Sequence, residues 1–393
     1  MKIAIRLLGI VVLLVVVGAI IVVVTVLSMG ENKPTGAPPA DSFLADDQYK
    51  AAAKQALARL EDLRAERDWP SMSMAVGRNG RLVWAGAVGW ADFLSAENAT
   101  PDHRYRVGSV AKPLTTAALG QLIDEGKLDL NDSLYKYLPR FPTKSATFSL
   151  RQLASHTAGV RHYADGIAGM SENFHETQYE TVSDGLVLFQ EDPLLFPPGT
   201  SFNYSSFGYN LLSAAMEVAD GRDYLTLMQE RVFTPANMDD TQAEHTPSPV
   251  PLKMLAKPYF AYEDNIMRAP YVNNSYKWAG GGFISTPKDL VNFGLLLLDG
   301  GLVSKATLAE MWVPVLLNNG EPNPGGYGLG FRFGHHEGDR FISHGGASVG
   351  GASYLVIFPE LGLVAAFATN VSSLSGSPGE RKQVRALATL FAE

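Results

Sequence analysis

Hydrophobic positions along the chain begin as an unbroken apolar run from Leu7 to Leu27 and then settle into two alternating periods. Residues 46–67 place Ala51, Ala52, Ala53, Leu57, Leu60 and Leu63 among charges, the pattern of an amphipathic helix. Residues 71–91 alternate on either side of Asn79-Gly80, a pair that takes positive φ readily and so closes a tight hairpin. Strand-like runs return near the far end, at residues 327–333, 352–358 and 363–369, followed by a last helix over 380–391. Between the two strand groups the strong segments read as helices, at 109–125, 149–155, 205–219, 223–232, 287–299 and 304–312. This order predicts an α+β protein in which N- and C-terminal segments close one antiparallel sheet and a helical subdomain is inserted.

The opening run is longer than the roughly 7 to 15 apolar residues of a signal peptide and close to the roughly 20 that span a bilayer. Lys2 and Arg6 precede it, while Glu31, Asp41, Asp46 and Asp47 follow. The expectation is a membrane anchor over residues 1–29 in a single-pass protein, its N-terminus cytoplasmic and its main domain extracytoplasmic, periplasmic in a Gram-negative cell. A long signal peptide cut after Ser28 is the alternative. Residues 30–45, with Pro34, Pro38 and Pro39, read as a stalk, and residues 46–393 as the functional domain.

A net charge of -8 without basic runs argues against nucleic acid as a partner, and the absence of cysteine removes disulfides, thiol nucleophiles and thiolate metal sites. The histidines lack metal-ligand spacing, and no phosphate-cradling glycine loop occurs, so neither metal nor cofactor is expected. His156 reads as a structural residue tying a loop after a short helix.

Chemistry concentrates at Ser109, which opens the 109–125 helix with Lys112 three residues on and on the same face. Free N–H groups and the helix dipole there favour an oxyanion, and a desolvated Lys112 can take the serine proton. A plain helix cap is the alternative for Ser109. The same S-x-x-K spacing recurs at Ser133 to Lys136 and Ser285 to Lys288, where polar surroundings point to solvated lysines. Tyr204-Ser205-Ser206 opens another helix, and a buried tyrosine beside an ammonium can have its pKa lowered enough to exchange a proton with serine. At Ser343-His344-Gly345-Gly346-Ala347, before the 352–358 strand, the glycines let backbone approach a ligand closely and an edge strand would offer N–H groups to a substrate and an oxyanion, a plain glycine turn with a surface histidine being the alternative. Gly346-Ala347-Ser348-Val349-Gly350 also fits G-x-S-x-G, but that motif needs a following helix and a later histidine, and none follows His344.

Three blocks in this order, Ser109-Val110-Ala111-Lys112, Tyr204-Ser205-Ser206 and His344-Gly345-Gly346, resemble the serine β-lactamase and penicillin-binding-protein superfamily. The likeness is to its class C-like branch of esterases, D-amino-acid peptidases and carboxypeptidases and covers roughly residues 45–392. Leu153-Ala154-Ser155-His156-Thr157-Ala158-Gly159 and Gly280-Gly281-Gly282-Phe283-Ile284-Ser285-Thr286 look like further landmarks. Arg161-His162-Tyr163 and the stretch from Pro270 to Phe283 resemble a mitochondrial, serine β-lactamase-like group within it.

The resemblance implies a β-lactamase/transpeptidase-like fold and a serine hydrolase that forms an acyl-enzyme on a small peptide or ester substrate. Ser109 would attack, Lys112 and Tyr204 would manage its proton, and backbone N–H groups of Ser109 and Ala347 would hold the oxyanion beside Gly345 and Gly346. His344 stands where many relatives have lysine and would hold Tyr204 or a substrate carboxylate electrostatically. Two positions depart from the pattern. Ser206 replaces an asparagine, which bears on amide recognition and β-lactamase activity, and a histidine in place of lysine would lose its charge above a pH near 6.5. Those departures also define the rival reading, a non-catalytic binding module on the same fold. Residues 165–195 and 243–274 are expected to shape the cleft.

Overall fold

The structure is a computed structural model and describes residues 33–36, 38–164, 166–246, 252–262, 265–373 and 380–392. Its sheet is built from β1 (Ala40–Leu44), β2 (Ser71–Arg78), β3 (Arg81–Asp92), β4 (Arg332–His336), β5 (Asp339–Ser348), β6 (Gly351–Phe358) and β7 (Leu363–Thr369). These run antiparallel in the order β1-β3-β2-β7-β6-β5-β4, with the short strand Glu97–Asn98 attached to β3. N- and C-terminal segments therefore meet at the β2–β7 pair, where Met72 faces Thr369 and Ala75 faces Ala366. The hairpin turn falls on Asn79 and Gly80, at φ 49° and 80°, as the sequence predicts.

Alternation along the strands gives the sheet two apolar faces, each covered by helices. Met72, Met74, Trp84 and Phe367 pack with Leu60 and Leu63 of α1 (Lys50–Arg67) and with the C-terminal Leu387 and Phe391. Ala75, Ile357 and Val364 turn the other way, into the larger core. That core holds the helical subdomain inserted between β3 and β4: α2 (Ala111–Asp124), α3 (Leu150–Ala154), α4 (Ser206–Asp220) and α5 (Pro287–Asp299). α2 is buried almost all round, with Leu114, Ala117, Ala118, Leu119 and Leu122 inside. A wholly buried helix holds its first turn rigidly, which matters for Ser109.

Two expectations change, and one choice between alternatives is resolved. Residues 30–45 are more than a stalk, because Ala40–Leu44 pairs with β3 as an edge strand. The run at 327–333 enters the sheet only from Arg332, while Tyr327 makes an isolated bridge to Arg332. His344, Gly345 and Gly346 lie within β5, paired with β6 from Ile342 to Ser348, and are strand rather than turn. Their weak β propensity hides a strand that pairing imposes from outside. The final helix is α6 (Arg381–Thr389). The anchor expected over residues 1–29 lies outside the described residues.

Candidate active site

Ser109 occupies a short 3₁₀ turn, Gly108–Val110, that runs straight into α2. Gly108 has φ 49°, and a Cβ there would overlap the Ala347 carbonyl and stand 2.8 Å from the Ala347 amide nitrogen. Glycine is required on both counts, and its absence of a side chain brings the β5 backbone against the serine turn. Ser353 pins the same contact from β6 by donating to the Val107 carbonyl at 2.6 Å. β4 covers β5 only as far as Ser343, so residues 344–348 are an open edge on this side. Helix-start N–H groups have no intrahelical partner, and a strand edge beside them completes the kind of cradle that holds an oxyanion.

Lys112 is fully buried one turn into the helix. Its Nζ lies 3.3 Å from Ser109 Oγ, 2.9 Å from Ser206 Oγ and 2.7 Å from the Gly280 carbonyl. Burial first, and then the charge of Lys277, push its pKa well below the usual lysine value. A neutral amine keeps two of these hydrogen bonds as donor and turns its lone pair on Ser109, the arrangement of a base ready to deprotonate the hydroxyl.

Tyr204 hydrogen-bonds Ser109 from the other side, with Lys112 Nζ 4.7 Å from its ring centre. Burial raises its pKa above that of free tyrosine. This reverses the sequence expectation: desolvation of the phenolate outweighs the lowering by the Ser109 hydrogen bond and by the charges of Arg332 and Arg381. Tyr204 is a phenol that can donate, and Lys112 is the group that can accept.

His344 is likewise not the cation that the sequence suggested. Its Nδ1 donates to the Gly345 carbonyl at 2.7 Å, which leaves Nε2 to accept from the Tyr327 hydroxyl at 2.8 Å. Burial, followed by the charge of Lys112, holds its pKa well below the usual imidazole value. It meets Tyr204 only ring to ring, 6.2 Å between centres.

Two more imidazoles hold the Tyr204-Ser205-Ser206 block. His156, at φ 64°, accepts the Ser205 N–H at 3.1 Å and lies against the Tyr204 and Tyr327 rings, 4.3 and 4.5 Å between centres. It ties its loop as expected. His162 accepts the Ser206 N–H at 3.2 Å and is pushed down to about 3 by burial and by Lys112. Ser205 caps α4 through the Gly208 N–H. Ser206 shares Lys112 with Ser109 and also bonds the Tyr163 hydroxyl, so it fills a place in the network despite being shorter than asparagine.

Lys112 thus holds Ser109 and Ser206 at hydrogen-bonding distance with the Tyr204 ring beside it, while Gly346 and Ala347 lie against the turn and Gly345 holds His344. Sequence reading singled out His162, Tyr163, Lys277 and Gly280 only as parts of family-like stretches and gave them no role in the site, and it did not single out Tyr327. Their contacts with Lys112, Ser206 and His344 join distant segments and have no spacing signature. The two other S-x-x-K copies are ordinary: Ser133 caps a helix while the exposed Lys136 pairs with Asp132, and Lys288 pairs with exposed Asp102. Ser348 is followed by β6 rather than a helix, which excludes the G-x-S-x-G elbow. Among the described residues no group of three or more His, Asp or Glu side chains is placed to hold a metal ion.

An antiparallel sheet closed by both chain ends, a helical subdomain inserted in it and a serine–lysine pair at their junction make this a β-lactamase/transpeptidase-like fold. The beta-lactamase family model matches residues 56–390, and the chain belongs to that family. It is 29% identical to the human mitochondrial serine beta-lactamase-like protein LACTB, over 83% of this chain and 74% of that protein. It is 24% identical to penicillin-binding protein 4* of Bacillus subtilis strain 168, over 78% of this chain and 69% of that one. Among solved structures it is similar to a D-stereospecific amidohydrolase from Streptomyces, with a TM-score of 0.69, 29% identity and coverage of 82% and 94%.

These findings correct the expected location. Among the described residues no helix is long and apolar enough to cross a membrane, and the human relative is mitochondrial by name. The single-pass, extracytoplasmic placement does not stand.

Proposed function

We propose that the protein is a serine hydrolase that cleaves an amide or ester bond of a small peptide-like substrate through an acyl-enzyme on Ser109. The observation that carries this reading is Lys112 Nζ, fully buried, depressed in pKa and in contact with Ser109 Oγ. In the proposed cycle neutral Lys112 takes the Ser109 proton as Oγ bonds to the carbonyl carbon. The carbonyl oxygen, now charged, turns to the N–H groups of Ser109 and Ala347, each such donor being worth roughly 10²- to 10³-fold in rate. Tyr204 gives its proton to the leaving group as the carbon–heteroatom bond breaks and regains one from Lys112. Water then repeats the sequence on the ester, giving a proton to the same pair and releasing the acid and free Ser109.

Ser206 and His344, the departures that would favour a non-catalytic module, each keep a hydrogen bond within the network, which supports catalysis. Similarity to a D-stereospecific amidohydrolase supports amides of D-amino acids as a substrate class to try first. The test is turnover of D- and L-aminoacyl anilides and short-chain aryl esters by the full chain and by Ser109→Ala. Activity lost in the variant supports the reading, and equal turnover by the two proteins overturns it.

A further inference from the structure

Two pieces of backbone meet at the serine turn with almost no side chain between them. A Cβ on Gly346 would stand 1.9 Å from the Val107 carbonyl oxygen, and one on Gly351 would stand 2.9 Å from that of Arg106. Bare backbone offers little apolar area, so burial alone fixes the spacing of such a contact poorly. Hydrogen bonds hold it instead. Ser353 supplies one from β6, and the Arg106 side chain supplies another from the stretch that leads into Ser109.

Arg106 lies three residues before Ser109, on the short strand Tyr105–Arg106, where it faces Ile284. All three nitrogens of its guanidinium are used. Nε lies 2.8 Å from both carboxylate oxygens of Glu244 and Nη2 lies 2.6 Å from one of them, while Nη1 donates to the Val349 carbonyl at 2.6 Å. Asn274 Nδ2 donates to the other Glu244 oxygen at 2.8 Å. The ion pair is buried, its side chains 7% and 3% exposed. Val349 and Gly350 form the turn that joins β5 to β6, closed by Ser348 opposite Gly351. Ala347 is the next position in, opposite Ala352. Bonded and non-bonded pairs alternate along an antiparallel ladder, so the Ala347 N–H points away from β6, toward the open edge of β5. Holding the turn at Val349 fixes where that N–H stands.

A buried ion pair is a poor way to gain stability, since apolar residues of similar volume often replace one without loss. What this pair adds is direction: Glu244 takes two nitrogens of a planar fork and thereby aims the third at the Val349 carbonyl. We propose that Arg106, aimed by Glu244, is a positioning residue that holds the Ala347 N–H beside that of Ser109, so that both donors meet the oxyanion as Ser109 is acylated. This rests on the acyl-transfer reading of Ser109. Arg106 acts through the Val349 turn and not on the substrate. Its loss misplaces one oxyanion donor, while Lys112 keeps its contacts with Ser109, Ser206 and the Gly280 carbonyl.

The test compares acylation by para-nitrophenyl acetate and by the matching thionoacetate, each relative to its reaction with hydroxide. It uses the full chain, Arg106→Lys, and Arg106→Met combined with Glu244→Leu. Lysine keeps the charge but not the fork, and the apolar pair removes both charges at similar volume. Sulfur is a weak acceptor, so the thionoester reports the steps that do not use the cradle. In both variants the oxygen ester should slow by roughly 10- to 10²-fold, with the thionoester rate and both KM values within about threefold and the pH dependence set by Lys112 unmoved. Equal slowing of the two substrates, undiminished oxygen-ester acylation, or a wild type without preference for oxygen would overturn the assignment. Failure of both variants to fold would overturn it too, by showing that the pair holds the fold itself. Ester turnover that survives Ser109→Ala refutes the acyl-enzyme reading, whereas turnover lost there but unslowed in the Arg106 variants refutes the role of Arg106 alone.

Discussion

A lysine that is to act as a base must give up its proton easily, and at Lys112 burial lowers the pKa in that direction. Lys112→Met keeps the length and removes the base, so acylation should fall by about 10²- to 10⁴-fold, measured as single-turnover release from a neutral anilide. On the same neutral substrate the wild-type rate should rise with pH through the depressed Lys112 pKa and then level off, because only the unprotonated amine works. His344→Gln should leave that profile without a new inflection near 6.5, since His344 is already neutral there. An inflection removed by the substitution would contradict the neutral assignment. Of this chemistry, the Ser109 and Lys112 spacing was readable in the chain, because a three-residue step on a helix fixes which side chains meet. The ionisation of Tyr204 and His344 was not, because it depends on burial by Tyr163, Tyr327 and the β5 strand, which come from distant segments.

Between elements, the decisive contact is the serine turn against β5. Gly108→Ala would force a side chain into φ 49° and against the Ala347 backbone, at about 1 kcal/mol for the backbone conformation alone and more for the overlap. The expected outcome is a folded protein with at least tenfold slower acylation; undiminished acylation would show that the turn and strand need not touch. His-Gly-Gly is a poor strand former, and pairing with β6 decides between the edge strand and the glycine turn that residues 344–346 allow. Ala40–Leu44 was hidden the same way, by prolines just before it. The helix Pro287–Asp299, with its strong apolar stripe and the Thr286 cap, was placed to the residue, and Ser206–Asp220 to within one.

At the scale of the molecule, the two-faced sheet and the inserted subdomain followed from the order of strand and helix signals, whereas strand order and the burial of polar groups did not. That burial has a measurable consequence. His156, His162 and His344 have pKa values lowered on folding, so between those values and about 6.5 the unfolded chain binds more protons. Stability contributed this way is lost as pH falls from about 6.5 and is complete above it. Glu217 and Asp289 act oppositely, their carboxyls raised to about 7 and about 6 by burial, and weaken the folded state as pH rises from about 4.5 to 7. With two fully buried imidazoles and the part-buried His162 against two carboxyls, denaturant unfolding should show greater stability at pH 7 than at pH 5. Equal or greater stability at pH 5 would contradict the buried-neutral histidines.

The central claim is an activated serine at position 109. Intact-mass analysis of the full chain after exposure to a fluorophosphonate, followed by peptide mapping, tests it most directly. The account predicts one adduct, located on Ser109, absent from Ser109→Ala and much slower to form in Lys112→Met. A folded wild-type protein that takes up no adduct, or an adduct that persists in Ser109→Ala, would contradict it.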